Sequence, residues 1–351
     1  MTAPRVFELQ SADGLRIAVT DVGAAWMSCL VPAGGRVREV LLGHKAPSDY
    51  GVQPGYLGAV VGRYANRIAG ASFELDGESF ELQANEGPNQ LHGGEDGFHR
   101  RRWQVTRQAP DALELSLLSP DGDQGFPGEL RVRATYRVHP PLTVTLTLEA
   151  TTTKPTLVNL TGHAYFNLDG DARDIRGHSL RIAARRYLPV GAGMIPTGQQ
   201  ADVTGTPFDF RVQRCIGAAL ADLQATGTAL ASHDHCWLLD SASAAEPAAT
   251  LVSADGSLEL ALHSNAPGLQ FYAGEFLAGV TDRRGCPLAA HAGLALEPQA
   301  LPDSPHHPEW PQPDAVLRPG EVYRHTLTYR FRPARPPAYG DAGQGPGAAK
   351  P

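Results

Sequence analysis

Residues 131–149 read RVRATYRVHPPLTVTLTLE. Val132, Ala134, Tyr136 and Val138 alternate with Arg, Thr and His; then Val144, Leu146 and Leu148 alternate with Thr. Successive side chains of a strand point to opposite faces, so a period of two with β-branched and aromatic residues describes half-buried strands. Leu258–His263 (LELALH) and His325–Arg332 (HTLTYRFR) repeat the pattern. Asp76-Gly77, Pro120-Asp121-Gly122, Asp169-Gly170 and Asp255-Gly256 punctuate such runs, and Asp-Gly between alternating segments is a hairpin signal. The clearest helical spacing is short: Ile216, Ala219, Leu220 and Leu223 within Arg214–Leu223. Strands that follow strands, without helices between them, predict an all-β fold, a large antiparallel β-sandwich with few short helices.

Neither an internal repeat nor a Pro/Gly linker divides the middle of the 351-residue chain, so one domain over residues 1–332 is expected. Residues 333–351 are rich in Pro, Gly and Ala, offer little to bury, and are expected to form a disordered tail. A net charge of −7 argues against nucleic acid as a partner. No apolar run is long enough to span a membrane, and the N-terminus lacks the basic and apolar regions of a signal peptide. The four cysteines are scattered without a CxxC pair or a disulfide framework, which suits a reduced, cytoplasmic protein.

Several polar clusters interrupt the strand pattern. LVNLTGHAYFNL, residues 157–168, begins as a strand and places His163 between small residues and the Tyr165-Phe166 pair. A histidine in such a setting is most often a satisfied core residue, so a functional reading needs partners. GRYANRIAG, residues 62–70, carries Asn66 and Arg67, an amide and a guanidinium suited to a polar ligand; the bland alternative is a turn with a surface ion pair. Asn89-Gln90 precede LHGG, where two glycines after His92 allow a tight turn and a close ligand approach. In HDHCW, residues 233–237, a strand would put His233 and His235 on one face and Asp234 and Cys236 on the other. No second pair of ligands stands at zinc spacing, so Asp234 is better read as a carboxylate for hydroxyl groups than as part of a metal site. PGLQFY contains Gln270 before an aromatic pair, and LALEPQALPDS ends an apolar run on Glu297, a carboxylate that is costly to bury unless paired or functional. Gly191-Ala192-Gly193 lacks the third glycine of a nucleotide loop, and neither a phosphate loop nor a nucleophile elbow occurs.

Taken together, GRYANRI, NQLHGG, NLTGHAYFNL, YLPVGAGMIPTG, HDHC, PGLQFY and LALEPQALPDSP, in that order from Gly62 to Pro305, resemble the aldose 1-epimerases, the galactose mutarotase family. The resemblance implies a supersandwich with an open sugar cleft and interconversion of the α and β anomers of free aldoses such as galactose or glucose. It implies Glu297 as general base, His163 as general acid, and Arg67, His92, Asp234 and Gln270 as sugar contacts, with Asn66 and Tyr165 beside them. The chemistry suits these residue types: a hemiacetal opens when the C1 hydroxyl loses a proton and the ring oxygen gains one. Acid and base are expected on opposite sides of a space the size of a pyranose. Neither metal nor cofactor is required, and the expected partner is a small sugar met by a monomer or weak homodimer.

Three alternatives remain on sequence grounds. A hexose 6-phosphate epimerase would need basic residues near the cleft, for which Arg100–Arg102 are candidates. A non-catalytic sugar-binding protein would not need both His163 and Glu297. A glycoside hydrolase would need two carboxylates about the scissile bond, and Glu297 stands opposite a histidine instead. Departures from the family pattern are Gly162, where Asn is usual, Cys236-Trp237 in place of Asn-Phe, and the bulkier PHHPEWP after Ser304.

Overall fold

A computed structural model describes residues 3–227, 232–241 and 245–334. The tail expected to be disordered falls, from residue 335 onward, outside the described residues. The fold is a large antiparallel β-sandwich whose single α-helix among the described residues, Ile216–Ala225, buries Ile216, Ala219, Leu220 and Leu223.

The stretch read first forms two long neighbouring strands, Leu130–His139 and Thr143–Thr152, paired in register from Leu130↔Thr152 to His139↔Thr143. Their alternating apolar residues face the core, and Arg131, Arg133 and Arg137 face solvent. These strands lie within a nine-stranded sheet that also holds Tyr323–Pro333 and Leu258–Ser264. The Leu258–Ser264 strand differs from the half-buried expectation: every residue is buried, and Glu259 is neutralised by Arg332 on the adjacent strand. Asp76-Gly77 and Asp255-Gly256 each turn between paired antiparallel strands, with both residues of the first at positive φ. Asp169-Gly170 does not close a hairpin, because the strands that flank it, Tyr165–Phe166 and Ser179–Ile182, belong to different sheets.

A four-stranded sheet begins the chain, and a six-stranded sheet runs in the order Tyr165–Phe166, Leu294–Gln299, Gly268–Tyr272, Asp234–Leu238, Arg186–Tyr187, Ala201–Asp202. Trp26 joins the three sheets: its ring meets Phe166 edge-on at 6.1 Å and Tyr329 at 5.1 Å.

The six-stranded sheet is decisive for function because its three longest strands, Asp234–Leu238, Gly268–Tyr272 and Leu294–Gln299, are buried almost throughout. Phe166, Leu294, Leu296, Leu269, Phe271 and Trp237 point to the main core. The opposite face carries the polar side chains among small and aromatic ones. The register aligns Cys236, Gln270 and Glu297 across three strands, and Asp234, Tyr272, Ala295 and Tyr165 across four. A strict period of two thus sorts these largely buried central strands into an oily side and a chemical side.

Candidate active site

Glu297 lies in the middle of the sheet, 2% exposed. His163 follows the two-residue strand Thr161–Gly162 and is held by its backbone: its N–H donates to the Ala59 carbonyl (2.8 Å) and its carbonyl accepts from the Gly58 N–H (2.9 Å). The His163 Nε2 atom stands 3.5 Å from Glu297 Oε2. That contact is not a formed hydrogen bond: Glu297 Oε2 and His163 Nδ1 both lack a partner in a buried setting. Buried polar atoms left open in this way mark a place where a ligand group completes the bonding.

The separation corrects one expectation. Acid and base do not flank a pyranose; they stand side by side. The chemistry explains why this suffices, since the hydroxyl oxygen that loses a proton and the ring oxygen that gains one are bonded to the same carbon.

Burial favours the uncharged form of each partner. It pushes the Glu297 carboxyl well above its ordinary value, with help from the nearby Asp234 charge and opposition from Arg67. It draws His163 down to about 4. Burial thereby biases the pair towards its singly protonated form, which carries no net charge.

His92 forms the third corner. The nearest donor atoms of His92, His163 and Glu297 lie within 4.8 Å of one another, a spacing that also fits one metal ion. The hydrogen bonding of His92 does not fit a metal. Its Nδ1 accepts the Asn66 N–H at 3.1 Å, so the hydrogen of the neutral ring sits on Nε2, which is a donor and not a lone pair for an ion. Burial, the neighbouring His163 and the Arg67 charge hold His92 well below its ordinary range and keep it neutral. The LHGG turn makes this possible: His92 is at φ 52°, and Gly93 at φ 82° passes so near the Gly62 carbonyl that a Cβ would lie 2.0 Å from it.

Arg67 is fixed by an acid that sequence reading missed. Its Nε and Nη2 donate to the two oxygens of Glu86 at 2.6 and 2.8 Å, which leaves Nη1 outside that pair. The Arg67 carbonyl in turn accepts the Asp303 N–H at 2.9 Å. Asn66, at φ 67°, spends its side-chain oxygen on the Arg67 N–H (2.9 Å) and its own N–H on His92, so its bonds hold the two neighbouring site residues.

On the sheet, Gln270 donates through Nε2 to Asp234 Oδ1 at 2.6 Å, and its Oε1 is buried without a partner. Burial raises the Asp234 carboxyl, with Arg67 and the Gln270 bond opposing it. Tyr165 packs its ring 5.0 Å from that of His163 and 6.0 Å from Tyr272, forming a wall. Tyr56 covers the cluster on another side, with ring centres 4.7 Å from His92 and 5.6 Å from His163. All eight residues singled out in the sequence thus meet in one cluster, and Glu86, Tyr56 and Tyr272 join it. Tyr272 was legible in retrospect, since it stands two residues from Gln270 and so shares its face. Glu86 and Tyr56 gave no periodic signal.

Other clusters resolve differently. His233 and His235 point away from the site into an aromatic group that includes Phe208 and Trp237. Arg100, Arg101 and Arg102 pair with Glu95, Asp123 and Asp21, so their charge is committed away from the recess. His306 pairs with Asp303, and His307 stacks on Trp310 at 4.1 Å. No helix among the described residues is long and apolar enough to cross a membrane.

Comparison with known proteins adds to this geometry. The aldose 1-epimerase family matches residues 5–330. The chain is 45% identical over 330 residues to an aldose 1-epimerase of Escherichia coli (strain K12), covering 93% of this chain and 95% of that one. It is 38% identical over 328 residues to the galactose mutarotase of Homo sapiens, with 93% of each chain covered. Among solved structures, an aldose epimerase homologue from C. elegans superposes with a TM-score of 0.87 at 29% identity, over 95% of this chain and all of that one. A galactose 1-epimerase from Lactobacillus acidophilus superposes with a TM-score of 0.80 at 26% identity, over the same shares.

Proposed function

The chain belongs to the aldose 1-epimerase family, and from that premise we propose that it interconverts the α and β anomers of free aldohexoses such as galactose and glucose, with Glu297 and His163 as its acid–base pair. The enzyme is an isomerase of the mutarotase type. The observation that carries the residue assignment is the 3.5 Å approach of two buried groups, with the facing Glu297 Oε2 left without a hydrogen-bond partner.

In the reacting form the single proton of the pair sits on His163. Glu297 takes the proton of the C1 hydroxyl while His163 gives its own to the ring oxygen. The bond between C1 and the ring oxygen breaks, and C1 becomes an aldehyde. Rotation about C1–C2 turns the other carbonyl face to the C5 hydroxyl. Ring closure reverses both transfers: the hydroxyl returns a proton to His163, and Glu297 returns one to the carbonyl oxygen. Nothing is consumed, and the pair ends as it began. His92 Nε2–H and the free edge of Arg67 are donors for sugar oxygens or for charge that builds on the ring oxygen.

The free sugar is favoured over a sugar phosphate by the balance of groups. Asp234, Glu297 and the open Gln270 oxygen accept hydrogen bonds from hydroxyls, whereas the guanidinium present, Arg67, is already paired with Glu86. Action in the cytoplasm as a monomer or weak homodimer completes the reading, and the free thiols of all four cysteines support the reduced compartment.

Polarimetry on freshly dissolved α-galactose and α-glucose tests the proposal. The wild type is expected to hasten equilibration, with kcat lowered about 10²–10⁴-fold by Glu297→Gln or by His163→Asn. A wild-type rate equal to that of buffer on every free aldose would overturn it.

A further inference from the structure

Tyr56 is held in a backbone conformation that bulky residues seldom adopt. Its φ is 57°, between Gly55 at 98° and Gly58 at 68°. Strain of this kind persists where the surroundings enforce it, and it is concentrated at functional sites. The surroundings here are explicit. Gly58 is pinned to Trp26, whose N–H donates to the Gly58 carbonyl at 2.8 Å, and a Cβ on Gly58 would lie 2.2 Å from the Trp26 oxygen. The Ala59 N–H donates to the Tyr56 carbonyl at 3.0 Å, and Gly58 and Ala59 grip His163 through the two backbone bonds described above. One turn therefore fixes the Tyr56 ring and the His163 backbone relative to each other.

The rings are arranged accordingly. Tyr56 lies at 28° to His163 with centres 5.6 Å apart, and it also meets His92 at 4.7 Å and His99 at 4.6 Å. Tyr56 is partly exposed, whereas His163 is 4% exposed. The tyrosine ring is thus a layer between the imidazole and water.

We propose that Tyr56 is a positioning residue for the proton donor, its aromatic ring serving as a fixed cover that excludes water from His163 while the Nε2 edge stays directed at Glu297. This rests on the reading of His163 as the group that protonates the ring oxygen. The cover favours the uncharged imidazole, which gives up its proton readily once it has received one. The other groups that face His163 are Glu297 from the sheet, His92 from the LHGG turn and Tyr165 two residues on, with His99 beyond Tyr56.

The test compares pH profiles of kcat for the wild type, Tyr56→Phe, Tyr56→Leu and Tyr56→Asn, together with an NMR titration of the His163 ring. Asparagine tolerates the left-handed backbone and so keeps the experiment informative if the leucine variant folds poorly. Tyr56→Phe is expected to superpose on the wild type. The leucine and asparagine variants are expected to shift the acid limb from about 4 towards the ordinary 6.5, with matching movement of the His163 titration. Each unit of that shift appears as about a tenfold loss of kcat below the limb. An acid limb and a His163 titration unmoved in a folded Tyr56→Asn protein would overturn the proposal, as would a Phe variant that moves like the others. The titration is read without turnover, so failure of the cover is distinguishable from failure of the mutarotase reading.

Discussion

Among single residues, catalysis turns on one proton shared by Glu297 and His163. Burial lowers the tendency of His163 to hold a charge and raises that of Glu297 to keep its proton, so the singly protonated pair spans a wide pH range. Below about 4 His163 takes a second proton while Glu297 is still protonated, and no base remains. At high pH the pair loses its single proton, and no acid remains. A bell-shaped profile of kcat is expected, with an acid limb near 4 and an alkaline limb well above the ordinary carboxylate range. An alkaline limb near 4.5, the ordinary value for glutamate, would contradict this. The unusual Gly162 packs against the large sheet. A Cβ at that position would sit 3.1 Å from the end of the Leu146 side chain, a tight contact that a larger residue before His163 would need Leu146 to relieve.

At the scale of elements, the period of two did most of the work that sequence reading could do. It set Arg131–His139 as a strand and placed Asp234 opposite in facing from His233 and His235. It also puts Tyr272 on the face of Gln270. The pattern fails where function depends on short, irregular pieces. Arg67–Ile68 and Gln90–Leu91 pair over only two residues each, too few for any period to be visible, yet they bring Arg67 beside His92. The bidentate bond from Arg67 to Glu86 reaches 19 positions along the chain, past the Ser72–Leu75 and Glu78–Glu81 hairpin, and is a fact of tertiary folding. The side-by-side placement of His163 and Glu297 likewise follows from sheet packing and not from spacing. Glu86 is expected to orient Arg67 without touching the reacting atoms. Glu86→Ala should therefore raise KM by about tenfold, roughly 1.4 kcal/mol of lost binding, with a smaller change in kcat. An unchanged KM in a folded variant would show that Arg67 needs no such support.

At the scale of the whole molecule, we propose that residues 1–332 act as one domain. The nine-stranded sheet draws on strands from Gln104 to Pro333, and the main core takes residues from Phe7 to Phe331, so no cut leaves two intact cores. The same enclosure ties stability to pH. His99 and His233 are drawn by burial to about 3, and His163, His235 and His325 to about 4. Unfolded histidines bind protons below 6.5, and these five folded ones do not until lower pH. Between about 6.5 and 4 the unfolded chain therefore holds more protons, and stability falls as pH falls. Each histidine contributes about 1.4 kcal/mol per pH unit where the difference is complete. The raised carboxyls of Asp234 and Glu297 and the raised His306 act in the opposite sense, but His44, His92 and His178 are drawn down as well, so three stand against eight. The melting temperature is expected to drop steeply from pH 6.5 to pH 4.5; a flat curve would show that these histidines are hydrated.

Whether Glu297 with His163 moves the protons of ring opening is read by exchange NMR on glucose at anomeric equilibrium. Saturation of the α anomeric proton should transfer to the β signal with catalytic wild-type protein. It should vanish to the buffer level with folded Glu297→Gln at the same concentration. Transfer of equal size from the variant would contradict the account.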